Sequence, residues 1–173
     1  VGRRAASYSD RLLVADDAPF VVALHAAPHA RDHVHVPDEA LVRATAGEPD
    51  RERRIVLDGD GTPVGFWALS VLAGGWLVEL SGIVAVAPGR GIGSFALRRM
   101  IDRAFDDLAA HKVYLEVTAD NAPARALYER TGFVLEGTFR DGYRDERTGM
   151  YKDLCHYGML AHERPERLAN TAK

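Results

Sequence analysis

A strand-like run, Trp76–Val86, empties into a glycine-rich turn, Pro88–Gly93, and the turn opens a long amphipathic helix. Ile92, Ala96, Met100, Ala104 and Leu108 recur at helical spacing, joined by Leu97, Ile101 and Phe105. One broad face of that helix is therefore apolar and must be covered. Lys112–Thr118 follows, with Val113, Leu115 and Val117 alternating as one face of a strand does. A strand, a helix and a second strand in this order imply a sheet with a helical layer on it.

The flanking sequence completes that sheet with hairpins. Asp58-Gly59-Asp60-Gly61 is a turn signal between strand runs Arg53–Leu57 and Pro63–Leu72, since its glycines accept positive φ. Gly74-Gly75 turns the chain again into Trp76–Val86, where Gly82 marks a bulge. Upstream, Arg11–Ala15 reads as a short strand, and Asp16 or Asp17 caps a helix that carries Pro19 in its first turn and runs to about Ala27. A second helix, Asp38–Ala46, ends at Gly47. Downstream, Asp120 or Asn121 caps a helix from Ala122 to about Arg130, which Gly132 stops. Phe133–Arg140 and Met150–Leu160 are the last strands, joined by a charged loop, Asp141–Gly149. The order β-α-α-β-β-β-α-β-α-β-β predicts an α/β (α+β) class. It is a mixed, mostly antiparallel sheet of about six or seven strands layered by about four helices. One domain over 1–163 and a polar tail over 164–173 are expected.

The chain has 173 residues, enough for one real core, and its 47% apolar and 27% charged content is that of a globular protein. A net charge of −3 gives no basis for binding nucleic acid. No run approaches the ~18 apolar residues that span a bilayer. No apolar stretch follows Arg3 and Arg4, so no signal peptide is expected. Cys155 is the one cysteine, which excludes an intrachain disulfide and fits a reducing compartment. A cytoplasmic location is expected on that ground.

The glycine-rich segment carries the first chemical hint. Gly89, Arg90, Gly91, Ile92, Gly93 and Ser94 lead from strand to helix, where free N–H groups and the positive helix end favour an anion such as a pyrophosphate. It is not a P-loop, because no Lys-Ser/Thr pair follows the glycines. It is not a dinucleotide fingerprint either, because the last glycine spacing is wrong. Taken alone, such a segment serves equally as a chain-reversing turn.

The segment Leu115-Glu116-Val117-Thr118-Ala119-Asp120-Asn121-Ala122-Pro123-Ala124-Arg125-Ala126-Leu127-Tyr128-Glu129-Arg130-Thr131-Gly132-Phe133 removes that ambiguity. It closely resembles the C-terminal motif of the GNAT N-acetyltransferases: a strand, an Asn-containing turn, then Ala-x-x-Leu-Tyr-x-x-x-Gly-Phe. The resemblance covers roughly 57–160. Glu136-Gly137-Thr138-Phe139-Arg140 and Tyr151-Lys152-Asp153 narrow it to the branch of ribosomal-protein N-terminal and spermidine acetyltransferases. One departure is Pro88, where the family usually opens its loop with Gln or Arg.

The resemblance implies a splayed sheet and acetyl-CoA as cosubstrate. The pantetheine arm would pair with backbone at Val84, Ala85 and Val86, and the pyrophosphate would sit on Gly89 to Ser94. Asn121 would bond the arm from the other side. Tyr128 would protonate the leaving thiolate, and Glu116 would be the general base, with Glu79 and Ser81 on the long strand as rivals. Attack on a thioester needs a neutral amine, while an alkyl ammonium titrates at about 10 and an α-amine at about 8. A base therefore has work to do there. The acceptor class is a primary amine: a protein N-terminus, a polyamine, an amino acid or an amine antibiotic. A homodimer through the last strands is also implied. Two further readings of the same fold stay open. One is a non-catalytic acyl-CoA-binding module, which Pro88 favours; the other is a transferase using a different acyl-CoA.

His25, His29, His33 and His35 cluster, but Pro28 interrupts any shared helix face and no acidic or cysteine partner stands at ligand spacing. No metal is expected; a polar loop bordering the acceptor cleft is. Trp67 and Trp76 read as packing residues, and Arg51-Glu52-Arg53-Arg54 reads as a solvated edge. Cys155 and His156 must face opposite sides of the final strand.

Overall fold

The computed structural model describes residues 7–165. Arg3 and Arg4, and most of the expected tail, lie outside the described residues. The elements are β1 (Ser9–Leu12), α1 (Ala18–His25), α2 (Glu39–Ala44), β2 (Arg51–Leu57), β3 (Pro63–Leu72) and β4 (Leu77–Ala85). After the glycine-rich turn come α3 (Ile92–Asp102), β5 (Lys112–Thr118), α4 (Ala122–Thr131), β6 (Val134–Arg144) and β7 (Tyr151–Leu160). The order matches the sequence reading. The seven strands form one sheet, β1-β2-β3-β4-β5-β7-β6. Every neighbouring pair is antiparallel except β4 and β5.

Local chemistry sets the boundaries. The Asp38 carboxylate accepts the Leu41 N–H at 2.9 Å and starts α2. Asn121 Oδ1 accepts from Ala124 N at 3.3 Å and starts α4, which Gly132 ends at φ 103°. Asp17 does not cap α1. Its carboxylate instead accepts from the Val14 N–H at 2.9 Å and from Arg11 at 2.6 and 2.7 Å, fixing a 3-10 turn, Ala15–Asp17, ahead of the helix. β6 extends to Arg144, into the stretch read as loop; the reversal is 145–150, where Asp145 accepts from the N–H groups of Arg147 and Thr148.

The sheet has a core on each face. Trp67, Leu80, Ile92, Leu97, Met100, Leu115 and Tyr157 pack beneath α3 and α4. Leu13, Val21, Leu24, Ile55, Phe66 and Val84 pack beneath α1 and α2. In an unbroken strand Leu80 and Val84 would share a face. They do not, because the β3–β4 register steps from Ala68↔Gly82 to Leu69↔Leu80, leaving Ser81 as the extra residue of a bulge. Gly82 thus marks the bulge its sequence position implied.

Two sequence readings are corrected. Arg51-Glu52-Arg53-Arg54 is no solvated edge, since β2 lies between β1 and β3. Glu52 joins Arg54 at 2.6 Å and Arg103 at 2.8 Å, and Arg53 meets Glu48 at 3.5 Å. Trp67 is buried and donates Nε1–H to Asp10 at 3.0 Å, but Trp76 is 52% exposed and packs no core.

β4 and β5 pair only over Leu77–Glu79 and Lys112–Tyr114. Past that point their facing edges diverge with no strand between them among the described residues, and the sheet opens as a V.

Candidate active site

Strand amides alternate between the two edges of a strand. The Val86 N–H donates to the Val64 carbonyl at 2.9 Å, and Val84, paired with Phe66, points the same way. Neither residue offers its backbone to the V. The groups that face it are those of Ile83 and Ala85. Of the expected positions only Ala85 turns its backbone to the V; Val84 and Val86 turn theirs to β3, and Ile83, which was not among them, faces the V with Ala85. His29 Nε2 lies 2.7 Å from the Ala85 carbonyl oxygen, reached from a different element, which agrees with that orientation.

The top of the V is the N-terminus of α3. Gly89 and Gly91 adopt φ 75° and 83°, the left-handed region that side chains resist. Phe95 N–H bonds back to Gly91 O at 2.9 Å, so the amides of Ile92, Gly93 and Ser94 precede the first helical bond. Gly65 lets this helix end sit close: a Cβ there would meet the Ile92 side chain at 2.8 Å. Tyr8 donates to the Arg90 carbonyl at 2.8 Å, and its ring packs 5.7 Å from Phe95. The Arg90 side chain is exposed, with no ion pair among the described residues. Pro88 is exposed in the turn. An unpaired strand edge ending at free helix amides fits an acyl-CoA, whose arm pairs as a strand and whose phosphates are anionic.

Tyr128 approaches from the α4 side. Its ring is half-buried, 6.1 Å from both Phe133 and Tyr157, and its hydroxyl makes no hydrogen bond among the described residues. Burial pushes its phenol up to about 12, so it keeps its proton at neutral pH. Arg125 braces α4 from below, donating to Tyr157 Oη at 3.1 Å and to Ala119 O at 3.0 Å. The Asn121 side-chain oxygen is occupied by the α4 cap, and its amide NH2 carries no bond among the described residues.

Glu79 and Glu116 occupy the other face. Val113, Leu115 and Val117 enter the α3–α4 core, which turns Lys112, Tyr114 and Glu116 away from it. Glu79 pairs with Tyr114 across β4 and β5. Glu79 is held above the ordinary carboxylate range, first by burial and then by the Glu116 charge, with Arg51 opposing. Burial, then Glu79 and Glu116, also push the Tyr114 phenol up. Both carboxylates therefore face one cleft, with Tyr128 across β5 from them. Ser81 Oγ, in the bulge between Glu79 and the open edge at Ile83, is buried with no hydrogen-bond partner among the described residues.

Sequence reasoning missed the partner of Glu116. It is His156, opposite in register on β7, with Nδ1 at 3.4 Å. The alternation that buries Cys155 turns His156 to this face, but the pairing of β5 with β7 is a long-range fact. The segment between α1 and α2 closes the mouth of the cleft. Beyond the His29 contact, His33 lies 3.2 Å from Thr118 Oγ1 and 3.4 Å from Asp120, and His35 lies 3.1 Å from Glu146. Asp32 pairs with Arg147 and accepts Lys152 Nζ on its carbonyl at 2.8 Å. His25 is buried in α1 with Nδ1 2.7 Å from Val21 O, and burial lowers its imidazole. Among the described residues no three His, Cys, Asp or Glu side chains are placed to hold a metal ion.

The model of the acetyltransferase (GNAT) family matches residues 19–133 of this sequence. The chain belongs to that family. A putative ribosomal N-acetyltransferase of Bacillus subtilis is 39% identical over 75 residues, 43% of this chain and 40% of that protein. A spermidine N(1)-acetyltransferase of Vibrio cholerae is 40% identical over 57 residues, 31% of this chain and 33% of that one. The chain thus spans well under half the length of these curated relatives. As a fold, it superposes on the crystal structure of spermidine N-acetyltransferase from Vibrio cholerae in complex with CoA and spermine. The TM-score is 0.79 at 24% identity, covering 90% of this chain and 96% of that one.

Proposed function

We propose that this GNAT protein is an N-acetyltransferase that moves an acetyl group from acetyl-CoA to a primary amine in a ternary complex. The observation that carries the proposal is the β4 edge at Ile83 and Ala85, joined to no strand among the described residues and continuous with the amides at the start of α3. Acetyl-CoA is the substrate that supplies the activated acyl group. Ile83 and Ala85 align its arm, Gly89–Ser94 with Arg90 hold its phosphates, and the Asn121 amide donates from the β5 side. Glu79, held above the ordinary carboxylate range by burial and then by Glu116, accepts the proton of the incoming ammonium. Tyr128, protonated at neutral pH, gives its proton to the leaving sulfur. Acid and base thus come from opposite faces of β5, one on each side of the gap.

Spermidine, protein N-termini and amino acids are all amine acceptors of named relatives, and a cleft carrying Glu79 and Glu116 suits any such cation. Among the described residues no helix is long and apolar enough to cross a membrane, and Cys155 is free and buried. A cytoplasmic enzyme is the reading these support. The outer edge of β6 is unpaired among the described residues, and Val134, Phe139 and Tyr151 are 55%, 52% and 59% exposed beside it. We assign that face to a homodimer, which sedimentation of the purified protein detects as twice the monomer mass; a monomer at all concentrations refutes it.

The enzyme reading is tested by calorimetric titration with acetyl-CoA, followed by thiol release against polyamines, amino acids and N-terminal peptides. Binding with thiol release on one acceptor is expected. Tyr128→Phe should bind acetyl-CoA as before and turn over about 100-fold more slowly. Unchanged turnover removes Tyr128 as the acid, and failure to bind acetyl-CoA removes the site at the V.

A further inference from the structure

On the face that carries Glu79, one line of side chains crosses four strands. Glu79 on β4 pairs with Tyr114 on β5 and feels the charge of Glu116, two residues further along the same face of β5. Glu116 meets His156 on β7 at 3.4 Å. The other ring nitrogen of His156, Nε2, stands 3.6 Å from Glu136 on β6. Glu136 is anchored by Lys112 Nζ at 2.6 and 2.8 Å. The ring is clamped in place: it stacks on Tyr114 at a 4.9 Å centroid distance, and Phe139 stands edge-on at 6.0 Å. Glu136 reaches inward only because residue 158 is glycine; a Cβ there would stand 2.5 Å from its carboxylate. The charged and titratable groups packed around the imidazole are thus Glu116, Tyr114 and Lys112 of β5, Glu136 of β6 and, beyond Tyr114, Glu79 of β4.

Stoichiometry asks for such a line. An acceptor arriving as an ammonium gives an amide and a free thiol, so R–NH3⁺ plus the thioester yields R–NH–CO–CH3, the thiol and one H⁺. The N–C bond forms and the C–S bond breaks; of the two protons the nitrogen loses, one replaces the proton Tyr128 gives to sulfur, and the other must reach solvent. It collects on Glu79, which is half-buried and must be ionised again before the next ammonium binds.

We propose that His156 is the proton exit of the acceptor cleft. Glu79 hands the proton to Glu116, Glu116 to His156 Nδ1, and Nε2–H releases one toward Glu136 and the solvent beside it. An imidazole suits this step because it accepts at one nitrogen while donating at the other. This inference rests on the acetyl-transfer reading above.

The test compares three proteins at low buffer concentration: wild type, His156→Ala and His156→Gln, the last keeping a donor toward Glu116 without the ability to carry a proton. Turnover of His156→Ala should fall about tenfold or more. The apparent KM for acetyl-CoA should stay the same, and the solvent deuterium isotope effect should rise. Added imidazole, free to enter the space vacated by the ring, should restore turnover. His156→Gln should stay slow. Full activity of His156→Ala overturns the proposal. So does recovery in His156→Gln, or a loss that imidazole does not rescue and that comes without a larger isotope effect, since a packing role would act in that way. A wild type that releases no thiol with any amine overturns the enzyme reading and this one together, whereas an active wild type with indifferent His156 variants overturns this one alone.

Discussion

Two glutamates of the same chemistry are made unequal by where they stand. Glu79 is half-buried and raised by burial and by Glu116; Glu116 is more exposed and has His156 beside it. A group acting as base works only when ionised. Activity is therefore lost as pH falls through the raised value, at a pH above the ~4.3 of an ordinary glutamate. Glu116→Gln removes the second cause of the shift and lowers the Glu79 value. The acid limb of kcat/KM should then move to lower pH, even though turnover itself declines. A limb that stays in place would show that Glu79 is not the titrating base. Tyr128, Asn121 and Glu116 were legible because a local motif of a strand, a turn and a helix carries them. Ile83 and His156 were not. Which edge a strand residue serves depends on its neighbour, and the neighbours of β4 and β7 are set by contacts far away in the chain.

The strand and helix positions were largely readable from hydrophobic period and turn residues, as in Pro63–Leu72 and Lys112–Thr118. The strand order was not. Arg51-Glu52-Arg53-Arg54 looked solvated because its charges are dense, yet those charges pair with Glu48, Asp10 and Arg103 across elements. The length of β6 was hidden for a similar reason: its polar residues signal a loop, and only pairing of Tyr143 and Arg144 with Lys152 and Tyr151 keeps them in a strand. The turn before α3 lends itself to a direct test. Gly91 sits at φ 83° with open space where a Cβ would point, so alanine there meets no clash and only backbone strain of roughly 1–2 kcal/mol. Relieving that strain would turn the Ile92 and Gly93 amides away from the phosphates. Gly91→Ala should remain folded, with its melting temperature lower by a few degrees, and should weaken acetyl-CoA about tenfold by calorimetry. Unaltered affinity would mean that the helix start is not the phosphate site.

At the scale of the molecule, the opening of the sheet is what both halves of the chain build together. The bulge at Ser81 bends β4 away from β5 and re-aims Glu79 and Val84 onto the same face. α3 covers one arm, α4 the other. One short segment between α1 and α2 touches both arms, His29 on the Ala85 carbonyl and His33 on Thr118 and Asp120, and through Asp32 it also reaches Arg147 and Lys152 at the far hairpin. A ligand that pairs along Ala85 must share that carbonyl with His29, and a ligand in the acceptor mouth must lie under the same segment. An acyl donor and an amine that bind there together, as proposed, would be thermodynamically linked. Whatever factor the bound acyl donor applies to the affinity for amine, the bound amine applies in equal measure to the affinity for the donor.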